Sequence, residues 1–381
     1  MARKDLGGKR EQDEFSLLLS PSRGIQDDDP TSLKNPLVQE RFRDYIRDKL
    51  NAWSAAYPLG TRPRDLQRRN EELGIILLDL RKLREGIHSI QRVDAFASEV
   101  YEASVLLSLV ASNHAQLSAS LSHLVTVIHP TLASSDLATS LSSLSVSTRP
   151  ARPRPCPATR SFYIALHLLH SHLLPACTSL TPTVSSASVT STHAPLASFL
   201  PALLALLDLS SLPHPPTIRP SSLHHHPDDG PPPDPSITFL LALHLAFIRS
   251  SVSTISTICS SLPLPPRTII QHAQDLFPSR LGTVPPNPLA LILKDALPGF
   301  RESVWNNLVK RSFRFPPDRT TWLSKWFLFE FEIEIEQQLY GVVGKVLVEE
   351  EDWELRDQSR QDEVQREAEQ RVVAFVNERK T

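Results

Sequence analysis

The sequence predicts an all-α fold, in which a stack of helical hairpins is followed by a small C-terminal module. Three observations support this prediction. Apolar residues recur at spacings of three and four along much of the chain, as in half-buried helices. Pro is abundant (33 of 381 residues, against 11 Gly) and marks the ends of apolar segments. Charge is concentrated at the two ends, since no Lys lies between Lys82 and Lys294 and no Glu between Glu102 and Glu302.

These changes in composition divide the chain into four predicted regions. They are a disordered tail (1–34), a helical-repeat stack (35–265), a small module (266–348) and a charged, solvated C-terminal helix (349–381). Within the stack, loops rich in Ser and Pro are expected at 131–160, 178–194 and 210–235. The formal net charge of −2 argues against a strongly acidic or basic partner that binds along the whole chain.

The helices of the stack are predicted from their apolar stripes and start signals. The clearest stripe runs from Leu66 to Ile87, with Arg and Glu on the opposite face. Pro36 suits the first turn of a helix that reaches Tyr57, and Asp94 and Asn113 are suitable N-caps for the third and fourth helices. Further helices are expected at 162–173, 196–209 and 237–259.

Short helices are predicted in the module at 267–277, 288–296 and 300–308, with a fourth after Pro316-Pro317-Asp318. The run Phe327–Glu336 alternates as a strand does, but apolar residues at 322, 326, 329 and 333 favour a helix continuing to about residue 340. Residues 341–348 are expected to form a strand or hairpin arm. Trp322, Trp326 and Phe329 are the predicted core of this module.

The apolar windows at 196–209 and 237–248 are shorter than the ~20 residues that a bilayer span needs. The first ten residues lack the apolar core of a secretory signal. The three cysteines, Cys156, Cys177 and Cys259, have no metal-binding spacing. We therefore expect an intracellular protein with free thiols and no membrane partner.

Sequence motifs of catalysis are absent: the chain has no G-x-G-x-x-G, no G-x-x-x-x-G-K-[ST] and no G-x-S-x-G. His224-His225-His226 with Asp228-Asp229 offers metal-ligand chemistry, but a Pro-rich loop lacks the rigidity of a tight site. The cluster His167, His170 and His172 is expected to be solvated or to lie at the edge of the core, and Glu99 and Glu102 are expected on a solvated helix face. The sequence therefore predicts no catalytic residue, metal, cofactor or small-molecule substrate.

One basic cluster is a candidate contact for nucleic acid or for a partner protein. It consists of Arg301, Lys310, Arg311, Arg314, Arg319 and Lys325. Aromatic residues are interleaved with it, and cations beside aromatic rings suit phosphates and stacked bases. In the alternative interpretation, the aromatic residues are core and the cations only keep a small domain in solution.

Three segments resemble the PCI-domain scaffolds, and within them the GANP-type family linked to mRNA export and splicing. They are Leu80-Arg-Lys-Leu-Arg-Glu-Gly-Ile87, Phe96-Ala-Ser-Glu-Val-Tyr-Glu102 and Ser118–Leu124. The resemblance covers residues 77–348, and places Trp322–Glu336, with Leu328-Phe-Glu330, at the entry to a winged helix. The long Ser/Pro-rich insertions depart from a compact family member.

The resemblance implies a winged-helix module after the helical stack. It also implies a non-enzymatic scaffold subunit, located in the nucleus, with the cytoplasm as a second location. The winged helix would dock a second subunit of the complex or contact RNA. A subunit of the proteasome-lid or initiation-factor type is the alternative within this class. An alternative of another class is a divergent enzyme that uses the His-rich middle.

Overall fold

In a computed structural model of the chain, every regular element of the described residues is a helix, which confirms the all-α class. The structure describes Phe15 and residues 32–57, 66–133, 157–175, 194–207, 234–249, 251–276, 287–305, 319–340 and 353–378. The helices are α1 (Pro36–Ala56), α2 (Leu66–Ser89), α3 (Ala95–Val110), α4 (His114–His123), α5 (Pro157–Leu168), α6 (Ala194–Leu207), α7 (Pro235–Ile248), α8 (Val252–Ser260), α9 (Arg267–Leu276), α10 (Pro288–Val304), α11 (Arg319–Trp326), α12 (Phe329–Tyr340) and α13 (Trp353–Glu378).

The helices form two compact units, each assembled from two separate stretches of chain. Unit 1 contains Met1–Cys156 and Arg267–Pro285, and therefore holds α1 to α4 together with α9. Unit 2 contains Pro157–Pro266 and Pro286–Thr381. The segment 267–276, predicted to open the C-terminal module, is thus a helix of unit 1, where it packs on α3. The predicted strand at 341–348 lies outside the described residues, and the winged helix remains a prediction.

Unit 1 is a series of helices in which α1 packs on α2, α2 on α3, and α3 on α4. The stripe predicted in α2 is buried at Leu73, Ile76, Leu77, Leu80, Leu83 and Ile87. The predicted starts are confirmed: Pro36 is a first-turn residue, and the side chains of Asp94 and Asn113 accept hydrogen bonds from the backbone N–H groups of Ala97 and Gln116. Local signals in the sequence therefore set where these helices begin.

The chain before α1 packs closely against α2. Leu33 is buried, and its carbonyl accepts a hydrogen bond from the Gln39 side chain at 2.8 Å. A Cβ on Gly86 would lie 2.6 Å from that carbonyl oxygen, so only glycine permits this approach. Phe15 also packs here, with its ring centroid 5.5 Å from that of Tyr45. Leu33 and Phe15 both fall within the range predicted as a tail.

Unit 2 is centred on α5. Phe162, Tyr163, Ile164, Ala165 and Leu166 are successive residues of this helix, and all five are buried. Helices α6, α7 and α10 each pack on α5. Five successive buried residues cover every face of a helix, so α5 lies inside its unit, which fits the absence of Lys and Glu from its sequence. Among the helices in the described part of the chain, none is long and apolar enough to cross a membrane.

The structure corrects three predicted boundaries of helices and loops. The helix predicted at 237–259 is two helices, because α7 ends at Ile248 and α8 begins at Val252. The helices predicted at 288–296 and 300–308 join into α10, which continues through Pro298. Residues 131–133 and 157–160 of the predicted loop at 131–160 are helical, and α5 begins at Pro157, where a first-turn proline costs no hydrogen bond. The remainder of that prediction, 134–156, lies outside the described residues.

The ambiguous segment 327–336 is helical, as expected, but the predicted helix is interrupted. Leu328 has a φ of 56°, in the left-handed region, and separates α11 from α12. In the predicted core, Phe329 is buried, Trp326 is partly exposed, and the side chain of Trp322 lies outside the described residues. At this break, the backbone carbonyls of Phe327 and Leu328 accept hydrogen bonds from the guanidinium of Arg301.

The sequence predicts a solvated C-terminal helix, but α13 packs on α11 and α12. Val364, Ala368 and Val372 form a buried stripe at spacings of four. The ring centroid of Phe375 lies 5.1 Å from that of Phe327. The sequence of α13 is dominated by charge, and its narrow apolar stripe is easy to overlook for that reason.

Candidate functional site

The structure describes the side chains of only two residues of the predicted basic cluster, Arg301 and Lys325. Lys310, Arg311 and Arg314 lie outside the described residues, and Arg319 begins α11 with its side chain undescribed. Lys325 is exposed. Arg301 is buried, with 6% of its surface exposed. Only Lys325 is therefore both described and placed at the surface.

Arg301 supports the fold of unit 2 instead of lining a surface. Its guanidinium lies 2.8 Å from Glu332 and donates hydrogen bonds to the carbonyls of Phe327 and Leu328 at 2.8 and 3.3 Å. It also covers the Phe329 ring at 3.9 Å from the centroid. Burial lowers the pKa of Arg301, although Glu332 opposes this effect. Arg301 thus holds the break between α11 and α12.

An ionic network extends from Arg301 to the C-terminal helix. Arg371 of α13 lies 3.4 Å from Glu332 and 2.8 Å from Glu336, and Lys294 of α10 lies 3.3 Å from Glu336. Burial alone would raise the pKa of Glu336, but Arg371 and Lys294 outweigh it and lower that pKa. Three helices of unit 2 are therefore joined through α12.

A carboxylate in unit 1 that is only 12% exposed joins two histidines that are distant in sequence. Glu102 of α3 lies 3.5 Å from Nε2 of His129 and 3.1 Å from Nδ1 of His272. Ser98 donates a third hydrogen bond to it, at 2.8 Å. We call Glu102, His129 and His272 the Glu102 cluster. It connects α9 to the helices of the N-terminal half.

Two structural features position the Glu102 cluster. The backbone turns 124–128 at the end of α4 are π-helical, and His129 follows them directly. Such π turns change the direction of the following side chains and are frequent at functional sites. Residue 272 lies in α9, which packs on α3. Both histidines therefore approach Glu102 from elements other than its own.

The electrostatics of the cluster favour an anchor over a catalytic base. Burial alone would raise the pKa of Glu102, but the hydrogen bonds from His129 and His272 outweigh it and lower the pKa to about 2. Both carboxylate oxygens already accept hydrogen bonds. Such a carboxylate remains ionised at neutral pH and is a weak proton acceptor, since a general base needs a pKa near the working pH.

Sequence reasoning missed this cluster because Glu99 and Glu102 share a spacing that is typical of a solvated face. Glu99 fits that interpretation, since it is 43% exposed and pairs with Arg43 at 3.3 Å. Glu102 does not, because its side chain is only 12% exposed. A usable signal was present: α3 is apolar on nearly every face, so a carboxylate within it requires buried partners.

The histidines His167, His170 and His172 of unit 2 are partly buried, which fits the core-edge alternative and not the solvated one. Burial, with smaller contributions from His172 and His170, lowers the pKa of His167 to about 4. His172 Nδ1 lies 3.0 Å from Ser198 Oγ of α6. Residues 224–229 lie outside the described residues. Among the described residues, no group of three or more His, Cys, Asp and Glu is placed to hold a metal ion.

No protein-family model matches the chain, and neither a curated protein nor a solved structure matches it.

Proposed function

We propose that this chain is a non-catalytic scaffold subunit of a multi-protein complex linked to nuclear mRNA processing or export. The observation that carries the proposal is the arrangement of α1 to α4, in which each helix packs on the next along the chain. Successive helices packed in this way form the extended surfaces that helical-repeat proteins use to bind other proteins. The PCI-type resemblance supplies the class of complex.

The proposed docking region is the basic segment from Lys310 to Lys325. Arg301 is excluded from the contact because its guanidinium is bound within unit 2. Lys310, Arg311, Arg314, Arg319 and Lys325 remain the proposed contacts with a partner subunit or with RNA. Cations on such a segment would provide phosphate contacts or steer an acidic partner.

The state of the Glu102 cluster supports a non-catalytic role. A buried carboxylate whose oxygens are both engaged and whose pKa is about 2 suits a structural ion pair. Its three members come from the two stretches of chain that make up unit 1. The cluster is therefore better explained by the need to hold α9 in place than by chemistry on a substrate.

Affinity purification of the tagged full chain, with quantitative mass spectrometry, tests this function. The expected result is a stoichiometric set of mRNA-processing or export proteins, reduced when RNA is digested if RNA contributes. Recovery of proteasome-lid or initiation-factor subunits would place the chain in another complex of the same class. A chain that captures no stoichiometric partner would contradict the scaffold role.

A further inference from the structure

Arg84 is a buried cation in unit 1 that has no ion pair among the described residues. It lies on α2, and only 6% of its surface is exposed. Its guanidinium donates hydrogen bonds to the side chains of Ser120 and Gln116, which are both neutral. The adjacent carboxylate, Glu85, pairs instead with Arg81 at 2.9 Å. A buried charge without a counter-ion is costly, so this arrangement requires an explanation.

The donors of Arg84 are not all used by the surrounding side chains. Nε of Arg84 is buried and has no hydrogen-bond acceptor among the described residues. The guanidinium lies 5.7 Å from the centroid of the Tyr101 ring, which offers weak cation–π stabilisation and no negative charge. Ser120 and Gln116 therefore fix the position of the guanidinium, and Glu85 offsets part of its charge from a distance, without forming an ion pair with it among the described residues.

Two histidines lie beside Arg84 and add donors of the same kind. His88 is one turn further along α2 and is exposed, while His123 ends α4 and is partly buried. Their ring centroids are 5.1 Å apart, and the His123 ring is 4.8 Å from that of Tyr101. Burial lowers the pKa of His123, and the nearby His88 and Arg84 lower it further. The two imidazoles thus place further N–H donors beside the established cation, Arg84, between α2 and α4.

We propose that Arg84, His88 and His123 form a binding site for a phosphate group. A phosphate carries up to two negative charges and three strong acceptor oxygens, so one ion can engage several of these donors and neutralise Arg84. The group would enter from the side of the exposed His88. This site belongs to unit 1 and does not depend on the proposed scaffold function.

The test is titration of the full chain with inorganic phosphate at constant ionic strength, followed by calorimetry and by ³¹P line width. The wild-type chain is expected to bind with a Kd of about 1 mM. Arg84→Gln should weaken binding at least about tenfold, as expected for the loss of a charge-assisted hydrogen bond. Arg81→Gln is the matched control, because Arg81 lies on the same helix, is exposed and should leave binding within about twofold.

The double variant His88→Asn/His123→Asn keeps the test decisive if Arg84→Gln fails to fold. It should retain wild-type helix content and lose at least about threefold in phosphate affinity. Phosphoserine, used in parallel, distinguishes the source of the group: binding equal to that of phosphate indicates a phosphorylated side chain, and exclusion indicates the free ion. Phosphate binding that is absent in the wild type, or unchanged in both variants, would overturn the proposal.

Discussion

At the scale of single residues, Gly86 shows that two segments can pack closely because one position lacks a Cβ. Gly86→Ala would place a methyl group 2.6 Å from the Leu33 carbonyl oxygen, a backbone atom that cannot move away easily. We expect a loss of about 1–3 kcal/mol in the free energy of unfolding. Gly74→Ala is the matched control on the same helix, because nothing lies within 4 Å of its added Cβ.

Chemical denaturation of both alanine variants measures this contrast. The control should be neutral or gain up to about 1 kcal/mol, because alanine favours the helix more than glycine does. Equal effects of the two substitutions would mean that the contact at Leu33 does not limit packing in solution.

Glu102 gives a prediction with a defined pH dependence. Its pKa of about 2 in the folded chain lies below the ordinary value of 4.5. The contribution of Glu102 is therefore fully present above pH 4.5 and is lost as pH falls towards 2. Glu102→Gln should lower the free energy of unfolding by about 3 kcal/mol at neutral pH, and the difference from wild type should shrink in acid.

Denaturation at several pH values, with Glu99→Gln as the control, tests this prediction. Glu99 is partly exposed and pairs with Arg43 at the surface, so its substitution should change stability by less than about 1 kcal/mol. A difference between Glu102→Gln and wild type that stays constant from pH 7 to pH 2 would contradict the ionised state of Glu102.

His167 predicts that the stability of unit 2 falls at a higher pH than the range in which Glu102 acts, between pH 6.5 and about 4. Its pKa of about 4 lies below the ordinary value of 6.5, so the unfolded chain takes up a proton first as pH falls. The contribution of neutral His167 is present above pH 6.5 and is lost as pH falls through about 4. His167→Asn should flatten the decline in stability between these values. An unchanged profile would show that His167 titrates normally.

The Glu102 cluster also shows what sequence reasoning at this scale cannot supply. Periodicity places Glu99 and Glu102 one turn apart but does not distinguish the face that α9 will cover. His272 lies 170 positions away from Glu102 in sequence, and a single sequence contains no signal for such a contact. The burial of Arg301 is not predictable for the same reason, because its partners, Glu332 and two backbone carbonyls, come together only at the break between α11 and α12.

At the scale of whole helices, the apolar stripes and N-caps predicted most of what the structure contains. The start of α3 at Asp94 and the stripe of α2 follow from local chemistry. Breaks within helices were harder to predict, because the left-handed Leu328 depends on Arg301 binding the carbonyls beside it. Such a break is stabilised by tertiary contacts that the local pattern does not encode.

The packing of α13 yields the prediction at this scale. Arg371→Met removes the partner that lies 2.8 Å from Glu336 and should lower the free energy of unfolding by about 1–2 kcal/mol. Arg366→Met is the matched control, since Arg366 lies on the same helix, is exposed and, among the residues that the structure describes, donates to the carbonyl of Asp362 alone.

Unfolding of the two methionine variants, monitored by Trp fluorescence, separates these cases. The control should stay within about 0.5 kcal/mol of wild type. Equal stability of both variants would show that α13 is held by its apolar stripe alone, without a contribution from the ionic network.

At the scale of the whole molecule, the net charge of −2 is an average over segments of very different charge content. The apolar, charge-poor middle folds around α5 in unit 2, while unit 1 combines the N-terminal hairpins with α9. Composition alone could not assign residues 267–276 to unit 1. That assignment depends on a contact between distant stretches of chain.

The measurement that tests the scaffold account most directly is partner and RNA binding by the charge-reversed chain. Lys310, Arg311 and Arg314 are replaced together by Glu, and the control carries Glu at Arg47, Arg68 and Arg81, which are exposed on unit 1. The account predicts at least about a tenfold loss of binding for the first variant, with unchanged helix content, and a smaller effect for the control. Unchanged binding of the first variant to RNA and to every co-purifying protein would contradict it.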